Sequence, residues 1–304
     1  MKIAHRSARF AVAAAQMALA DAAWPESGSR DDLGVVMGTS GFDPQLDDLA
    51  LALGPDPDAR TATDIPFFAD RILGGLNPLW LLIGLPNMAS AQLAIQLEAR
   101  GPNNTVMTDW IAGSQAIGEA MLLIQSGEAR AVLAGGADTA LFPYVYASYD
   151  QAGLLGRGMV PGEGAAVFLL EDRGHAVARG APIVAELRGF ASGAGPGALA
   201  HTMSAALLQA GAAPSDVGVL SLGAVPDDLA AASEEQAVRE VMGTRAAHVP
   251  RVEFKSRLGH ALAAAGAIDM AIVLRRHGAP NGGTMLCNAT GYGGQAATLV
   301  LSAG

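Results

Sequence analysis

The sequence predicts a pseudo-duplicated α/β layer fold built on sheets buried from both sides. Two observations carry this. Strand-like and helix-like stretches alternate in two successive runs, and each run closes on a pair of strands. The stretches "AVLAG" (131–135) and "AVFLL" (166–170) are continuously apolar, the pattern of strands covered on both faces.

The elements follow in order. "MKIAHRSARFAVAAAQMALADAA" reads as an amphipathic helix over 7–23, with Phe10, Ala14, Met17 and Ala18 on one face and Arg6, Arg9 and Gln16 away from it. A signal peptide is the weaker reading, because the apolar run Phe10–Ala15 stops at Gln16, short of the roughly 7–15 residues required. "LGVVMGTSG" (33–41) is a strand entering a glycine turn, without the spacing of a dinucleotide loop. "MASAQLAIQLEAR" (88–100) is a helix stopped by Gly101. "NTVMT" (104–108) is a strand, 112–127 an amphipathic helix, and 131–138 and 162–172 are strands.

The second run repeats the scheme. Residues 182–191 form a strand, 197–211 a helix with a glycine stop, and 217–223 a strand. "AASEEQAVREVMG" (231–243) is a helix with Ser233 as its cap, and 260–278 a long helix opening at His260. Residues 284–302 are two strands around a glycine-rich bend.

Composition narrows the function. A formal net charge of −10 argues against a nucleic-acid partner. It also makes the chain a poor sole dock for an acidic carrier protein. The mean hydropathy of +0.30 suggests apolar surface that a partner covers. The six histidines are scattered without metal-ligand spacing, so no metal is expected, and no cofactor. Cys287 is the single cysteine, which excludes a disulfide framework and fits the cytoplasm. "PLWLLIGLPNM" is too short for a membrane span and is broken by Gly84 and Pro86.

Four stretches, in order, resemble β-ketoacyl synthases. "GPNNTVMTDWIAGSQAIGEAMLLIQSGEARAVLAGGAD" is similar to the segment around that family's reactive cysteine, and "VPGEGAAVFLLED" to its GEGA strand. "KSRLGHALAAAGAIDM" is similar to its lysine–histidine segment, and "NATGYGGQAATLVL" to its GFGG turn. The resemblance implies a thiolase fold: two similar halves stacked as five αβαβα layers, working as a dimer. It implies a single domain over 1–304 with halves 1–175 and 176–304, shortened at its amino end and between Asp138 and Gly162.

The resemblance also says what is altered. The nucleophilic cysteine position holds Trp110, which has no ionisable proton and cannot form a thioester. Aligning on Glu234 and Ala237 places Gly223 at the first histidine, or Leu222 with a one-residue shift. The lysine and second histidine remain as Lys255 and His260, with a structural role expected and Glu163 as a partner for Lys255. Cys287, on an apolar strand, reads as a buried inert thiol.

A ketosynthase fold without nucleophile and first histidine resembles the chain length factor of type II polyketide systems. That resemblance implies a non-catalytic subunit. It would pair with an active ketosynthase, meet acyl carrier protein through the complex, and shape the tunnel for the growing chain. A highly reducing, polyene-making system is the branch it suggests. Trp80, Phe67 and Phe68 would reach the partner's tunnel, and Tyr292 would line the vacated pocket. Core aromatics are the plainer reading of the two phenylalanines and an equally open one for Trp80. Two alternatives stand beside this: an enzyme of altered thioester chemistry using Lys255 and His260, and a scaffold that binds carrier proteins.

Overall fold

The computed structural model describes residues 4–25, 30–41, 46–54, 64–225, 227–277 and 283–304. In chain order the elements are α1 (Arg6–Asp21), β1 (Leu33–Gly38), α2 (Leu46–Leu53), α3 (Ile65–Gly75), α4 (Trp80–Ile83), α5 (Met88–Leu97), β2 (Asn103–Val106), α6 (Ala112–Gln125) and β3 (Ala131–Thr139). There follow α7 (Pro143–Gln151), β4 (Glu163–Glu171), α8 (Arg173–Ala178), β5 (Ala185–Ala194), α9 (Ala198–Ala210), β6 (Val217–Ser221) and α10 (Asp228–Met242). The chain closes with β7 (Arg251–Val252), α11 (Lys255–Leu258), α12 (Ala265–His277), β8 (Thr284–Thr290) and β9 (Gln295–Ala303).

Two sheets carry the duplication. One has the order β2-β1-β3-β4, the other β5-β9-β8-β6-β7. In the first, β2, β1 and β3 are parallel and β4 runs against them. In the second, β7, β6 and β8 are parallel and β9 runs against them. The outer strand β5 pairs antiparallel with β9 and has no counterpart beyond β4 among the described residues.

Alternation along each strand sorts the side chains into three apolar layers. Leu33, Val35 and Met37 of β1 face α1 and α5, whereas Val36 faces the middle layer formed by α6 and α12. In β9, Leu299 and Leu301 face that same middle layer and Val300 faces α9 and α10. This is the expected helix–sheet–helix–sheet–helix stack, with the two central helices shared between the sheets.

The middle layer is tight because its residues are small. A Cβ on Gly113 of α6 would lie 2.4 Å from the Ala263 carbonyl oxygen, and one on Gly136 of β3 would lie 2.7 Å from it. The turns before α6 and α12 match as well. Asp109 and Leu262, each just ahead of one of these helices, hold left-handed φ values of 56° and 49°.

Several boundaries differ from the sequence reading. Helix α5 ends at Leu97 with Glu98 left-handed at φ 54°, so the stop precedes Gly101, which instead packs on the Leu33 backbone. Helix α10 starts at Asp228 because Asp227, not Ser233, accepts from the Leu229 and Ala230 amides. The long helix begins at Ala265, since His260 lies in a bridge with Pro161. The buried face of α1 is Ser7, Ala8, Ala11, Val12 and Ala15; Phe10 and Ala14 are half-buried and Met17 is 68% exposed. Small residues allow α1 to sit close on β3 and β4, which rotates its bulkier stripe outward.

Gly113→Ala is expected to destabilise the fold by about 1–3 kcal/mol in urea unfolding, since the added methyl meets backbone. Gly74→Ala, with open space at its Cβ inside α3, should be neutral or stabilising by about 0.5–1 kcal/mol.

Candidate active site and its comparison with known proteins

The site forms where the amino ends of α6 and α12 meet. Trp110 sits in the single turn Asp109–Ile111 that opens α6, where unpaired amides favour negative charge. The left-handed Asp109 bends the chain there, and its carboxylate accepts from the Tyr292 amide at 3.2 Å. Trp110 is 6% exposed and packs on Ala140, Leu154, Met159, Val225 and Leu262. Its ring centroid lies 4.6 Å from that of His260, 5.8 Å from Tyr292 and 6.4 Å from Tyr149.

His260 is held from several sides. Its amide donates to the Val160 carbonyl at 2.7 Å, and its carbonyl accepts from Gly162 at 3.0 Å. Nδ1 accepts from the Leu262 amide at 3.2 Å, which assigns the proton to Nε2. Burial, with Lys255 adding, lowers the imidazole to about 3, so it is neutral under the indole.

Lys255 does not pair with Glu163. Its ammonium donates to Asp269 of α12 and, at 3.1 Å, to the Leu222 carbonyl. Both partners of this ion pair are nearly dry, and burial raises the Asp269 carboxyl. Glu163 is bound instead by Arg6 of α1, at 2.6 Å from Nε, and by the Thr139 hydroxyl at 2.8 Å. Lys255 thus ties α11 to α12 and to the end of β6, while Glu163 ties β4 to α1.

The loop after β6 leaves no place for an imidazole at Gly223. A Cβ there would meet the Asn288–Ala289 backbone at 2.7–2.8 Å. The Gly223 and Ala224 amides donate to buried Glu234 at 2.9 and 2.8 Å, and Asn288 Nδ2 adds a third bond at 3.1 Å. From this loop it is Val225 that packs in the Trp110 cluster. Leu222 packs in the α9–α10 layer.

Other candidates fall into place. Cys287 is buried on β8, where burial pushes its thiol up to about 12, far from a thiolate. Tyr292 is 62% exposed and, with Trp110, Val225, Asp227 and Leu229, lines a cavity of about 430 Å³. Trp80 and Phe67 are half-buried on α4 and α3, outside the Trp110 cluster; Phe67 lies under Arg71 at 5.3 Å. The Phe68 side chain lies outside the described residues. In the glycine turn after β1, the Ser40 amide donates to Asp138, so it is not free to cradle a phosphate.

Two residues were missed in the sequence reading. Asp138, at the end of β3, accepts from Ser40, Thr139 and Ala263 and is pushed up to about 6 by burial. Tyr149 of α7 meets the Trp110 indole edge-on, and burial raises its hydroxyl. An acid ending a buried strand was the available signal for Asp138; nothing in the spacing of Tyr149 singled it out.

The fold and site together define a thiolase-like protein whose turn ahead of α6 carries an aromatic ring. The family description "Beta-ketoacyl synthase, N-terminal domain" matches residues 2–176, and "Beta-ketoacyl synthase, C-terminal domain" matches 176–276. The chain belongs to the β-ketoacyl synthase family.

A 3-oxoacyl-[acyl-carrier-protein] synthase 2 of Synechocystis is 30% identical, over 87% of this chain and 67% of that protein. The Rhizobium meliloti protein of the same name is also 30% identical, over 89% of this chain and 69% of that one. Against the Staphylococcus aureus protein the match covers 64% of this chain and 55% of its relative. Among solved structures, the ishigamide ketosynthase/chain length factor aligns over all of this chain and 83% of its own, with TM-score 0.80 and 24% identity. A type II PKS acyl-carrier protein in complex with its ketosynthase bound to the hexaketide gives TM-score 0.81 at 24% identity, covering 98% of this chain and 85% of that one. At these identities the two structures establish likeness of fold.

Two measurements check the site. The neutral His260 contributes stability that is complete above pH 6.5 and is lost as pH falls from 6.5 towards 3. The stability gap between the native chain and His260→Asn should therefore shrink below pH 6.5 by up to about 1.4 kcal/mol per pH unit, read by urea unfolding across pH. Lys255→Met, which strands a buried carboxyl, should cost about 3–5 kcal/mol, and adding Asp269→Leu should restore most of it.

Proposed function

We propose that this chain is a non-catalytic, chain length factor-like subunit that pairs with an active ketosynthase and shapes the tunnel for the growing acyl chain. The observation that carries the reading is the Trp110 indole at the opening of α6, packed at a tilt against a neutral His260. The position that would need a thiolate holds a ring with no leaving proton. The one thiol in the chain is buried on a strand and held protonated. Lys255 is bound to Asp269 and His260 is covered, which argues against an enzyme that uses those two side chains.

A partner surface supports the pairing. Helices α2 and α3 pack on each other, and with α4 they present apolar side chains outward. Leu51 is 81% exposed, Ile65 78% and Leu81 59%. Met107, just after the edge strand β2, is 52% exposed. Burying such a face yields about 25 cal/mol per Å² of apolar area. Trp80 stands on these helices, and we assign it with Phe67 to the side that meets the partner. The solved relative that holds a ketosynthase with an acyl-carrier protein supports the same assembly for this chain. A polyene product is the finer part of the proposal, since the apolar helices α2–α4 suit a long hydrocarbon.

Co-expression with a ketosynthase carrying the cysteine and both histidines should give a one-to-one complex on gel filtration. During synthesis, mass spectrometry should find the acyl group on the partner alone. Trp110→Cys should not restore condensation by this chain, and Gly223→His in addition should prevent folding because of the contact at the Asn288–Ala289 backbone. An acyl group covalently loaded on the native chain would overturn the reading. A stable homodimer with no preference for a ketosynthase would do the same.

A further inference from the structure

Between β3 and β4 the chain makes an excursion whose two ends are pinned and whose middle is not. At its base the Ala140 amide donates to the Gly162 carbonyl at 3.0 Å, and the Val160 carbonyl accepts from the His260 amide at 2.7 Å. The stretch from Leu141 to Met159 takes in α7 and the single turn Leu155–Arg157. Among the described residues, its backbone–backbone hydrogen bonds all stay inside the stretch. Helix α7 buries none of its residues. A segment whose main chain is not bonded to its surroundings is held down by side chains, and it opens more readily than the sheet strands on either side.

The inward side chains converge on Trp110. Leu154 and Met159 are buried, and with half-buried Val145, Tyr149 and Ala152 they pack in the Trp110 cluster, which is separate from the three apolar layers. Leu154 lies between two glycines with left-handed φ, 70° at Gly153 and 97° at Gly158, so the chain turns sharply on either side of it. Arg157, from the same turn, reaches to the loop after β6, where its Nη1 donates to Asp227 Oδ2 at 3.3 Å. Asp227 is a fixed post. Its Oδ1 accepts from the Leu229 and Ala230 amides at the start of α10, and its side chain is 6% exposed against 51% for Arg157. Leu154, Arg157 and Asp227 all line the cavity of about 430 Å³ that Trp110 lines too.

We infer that Leu141–Met159 is a hinged lid over the Trp110 cavity and that the Arg157–Asp227 pair is its latch. In the closed position, Leu154 and Tyr149 cover the indole and Arg157 spans from the lid to the start of α10. Opening bends the chain at its pinned base, frees Leu154 from the cluster and joins the cavity to solvent. Strands β3 and β4 and the crossing of α6 and α12 stay as they are, because none of their backbone bonds runs through the lid. Arg157 is half exposed, so the latch is weak and yields to salt. The lid closes over the indole whichever protein this chain pairs with.

Hydrogen exchange with mass spectrometry on the full 304-residue chain reads the lid directly. Amides of Leu141–Met159 should exchange about tenfold or more faster than those of β3, at a rate that low urea leaves unchanged. Arg157→Gln should speed them by a further two- to fivefold, roughly the worth of an exposed ion pair, with β3 and β8 unaffected. Asp227→Asn keeps the cap of α10 and should match it, and the double substitution should add nothing further. Sodium chloride at about 1 M should bring the native chain to the rate of the variants. With Trp24→Phe and Trp80→Phe leaving Trp110 as the single emitter, acrylamide quenching should rise with Arg157→Gln. Exchange of the stretch as slow as that of β3 overturns the lid. Single-variant effects that are absent or that simply add overturn the latch, and quenching indifferent to Arg157→Gln shows that the stretch does not cover the cavity.

Discussion

The back-to-back crossing of α6 and α12 on the carbonyl of Ala263 is the contact on which the rest depends. Glycines at 113 and 136 let two helices and a strand approach backbone to backbone. A methyl at either position would separate the sheets. The same closeness fixes the two turns that begin the helices, and therefore the side chains at those turns. Trp110 and His260 meet because Asp109 and Leu262 bend the chain in the same unusual way on either side of the approximate two-fold.

Around that contact the polar groups hold the backbone. Glu234 spends its carboxylate on two amides of the loop after β6 and on Asn288. Asp138 gathers three amides from three segments. Lys255 joins Asp269 to the Leu222 carbonyl. Each is buried and each is satisfied, as low-dielectric surroundings demand. The backbone around Trp110 and His260 is thus held by buried polar groups whose bonds are all made.

The layer architecture was legible because buried parallel strands are continuously apolar and helices end on glycine. β3 and α6 follow directly from those signals, whereas β4, read as covered on both faces, is an antiparallel edge strand that is mostly half-buried. Boundaries went astray where a tertiary contact outweighed the local signal. Asp227 took the cap of α10 from Ser233, and the bridge of His260 with Pro161 delayed α12 to Ala265. For the site, Trp110 and its closeness to His260 could be read from motif order. The partner of Lys255 could not, since Asp269 and Glu163 are both acids near buried segments and only the packing of α11 on α12 decides between them. Alignment places Gly223 at the first histidine, but spacing alone does not reveal that neighbouring backbone occupies the space where a side chain would stand.

That last feature bears on how the chain could change over generations. In the genetic code tryptophan lies one base from cysteine, so a thiol at 110 is always within reach of a point mutation. An imidazole on the neighbouring loop is not, because histidine codons differ from those of glycine at two bases and the Asn288–Ala289 main chain fills the space beside Gly223. The crowded glycine, more than the conspicuous indole, is what would keep a histidine out of this pocket.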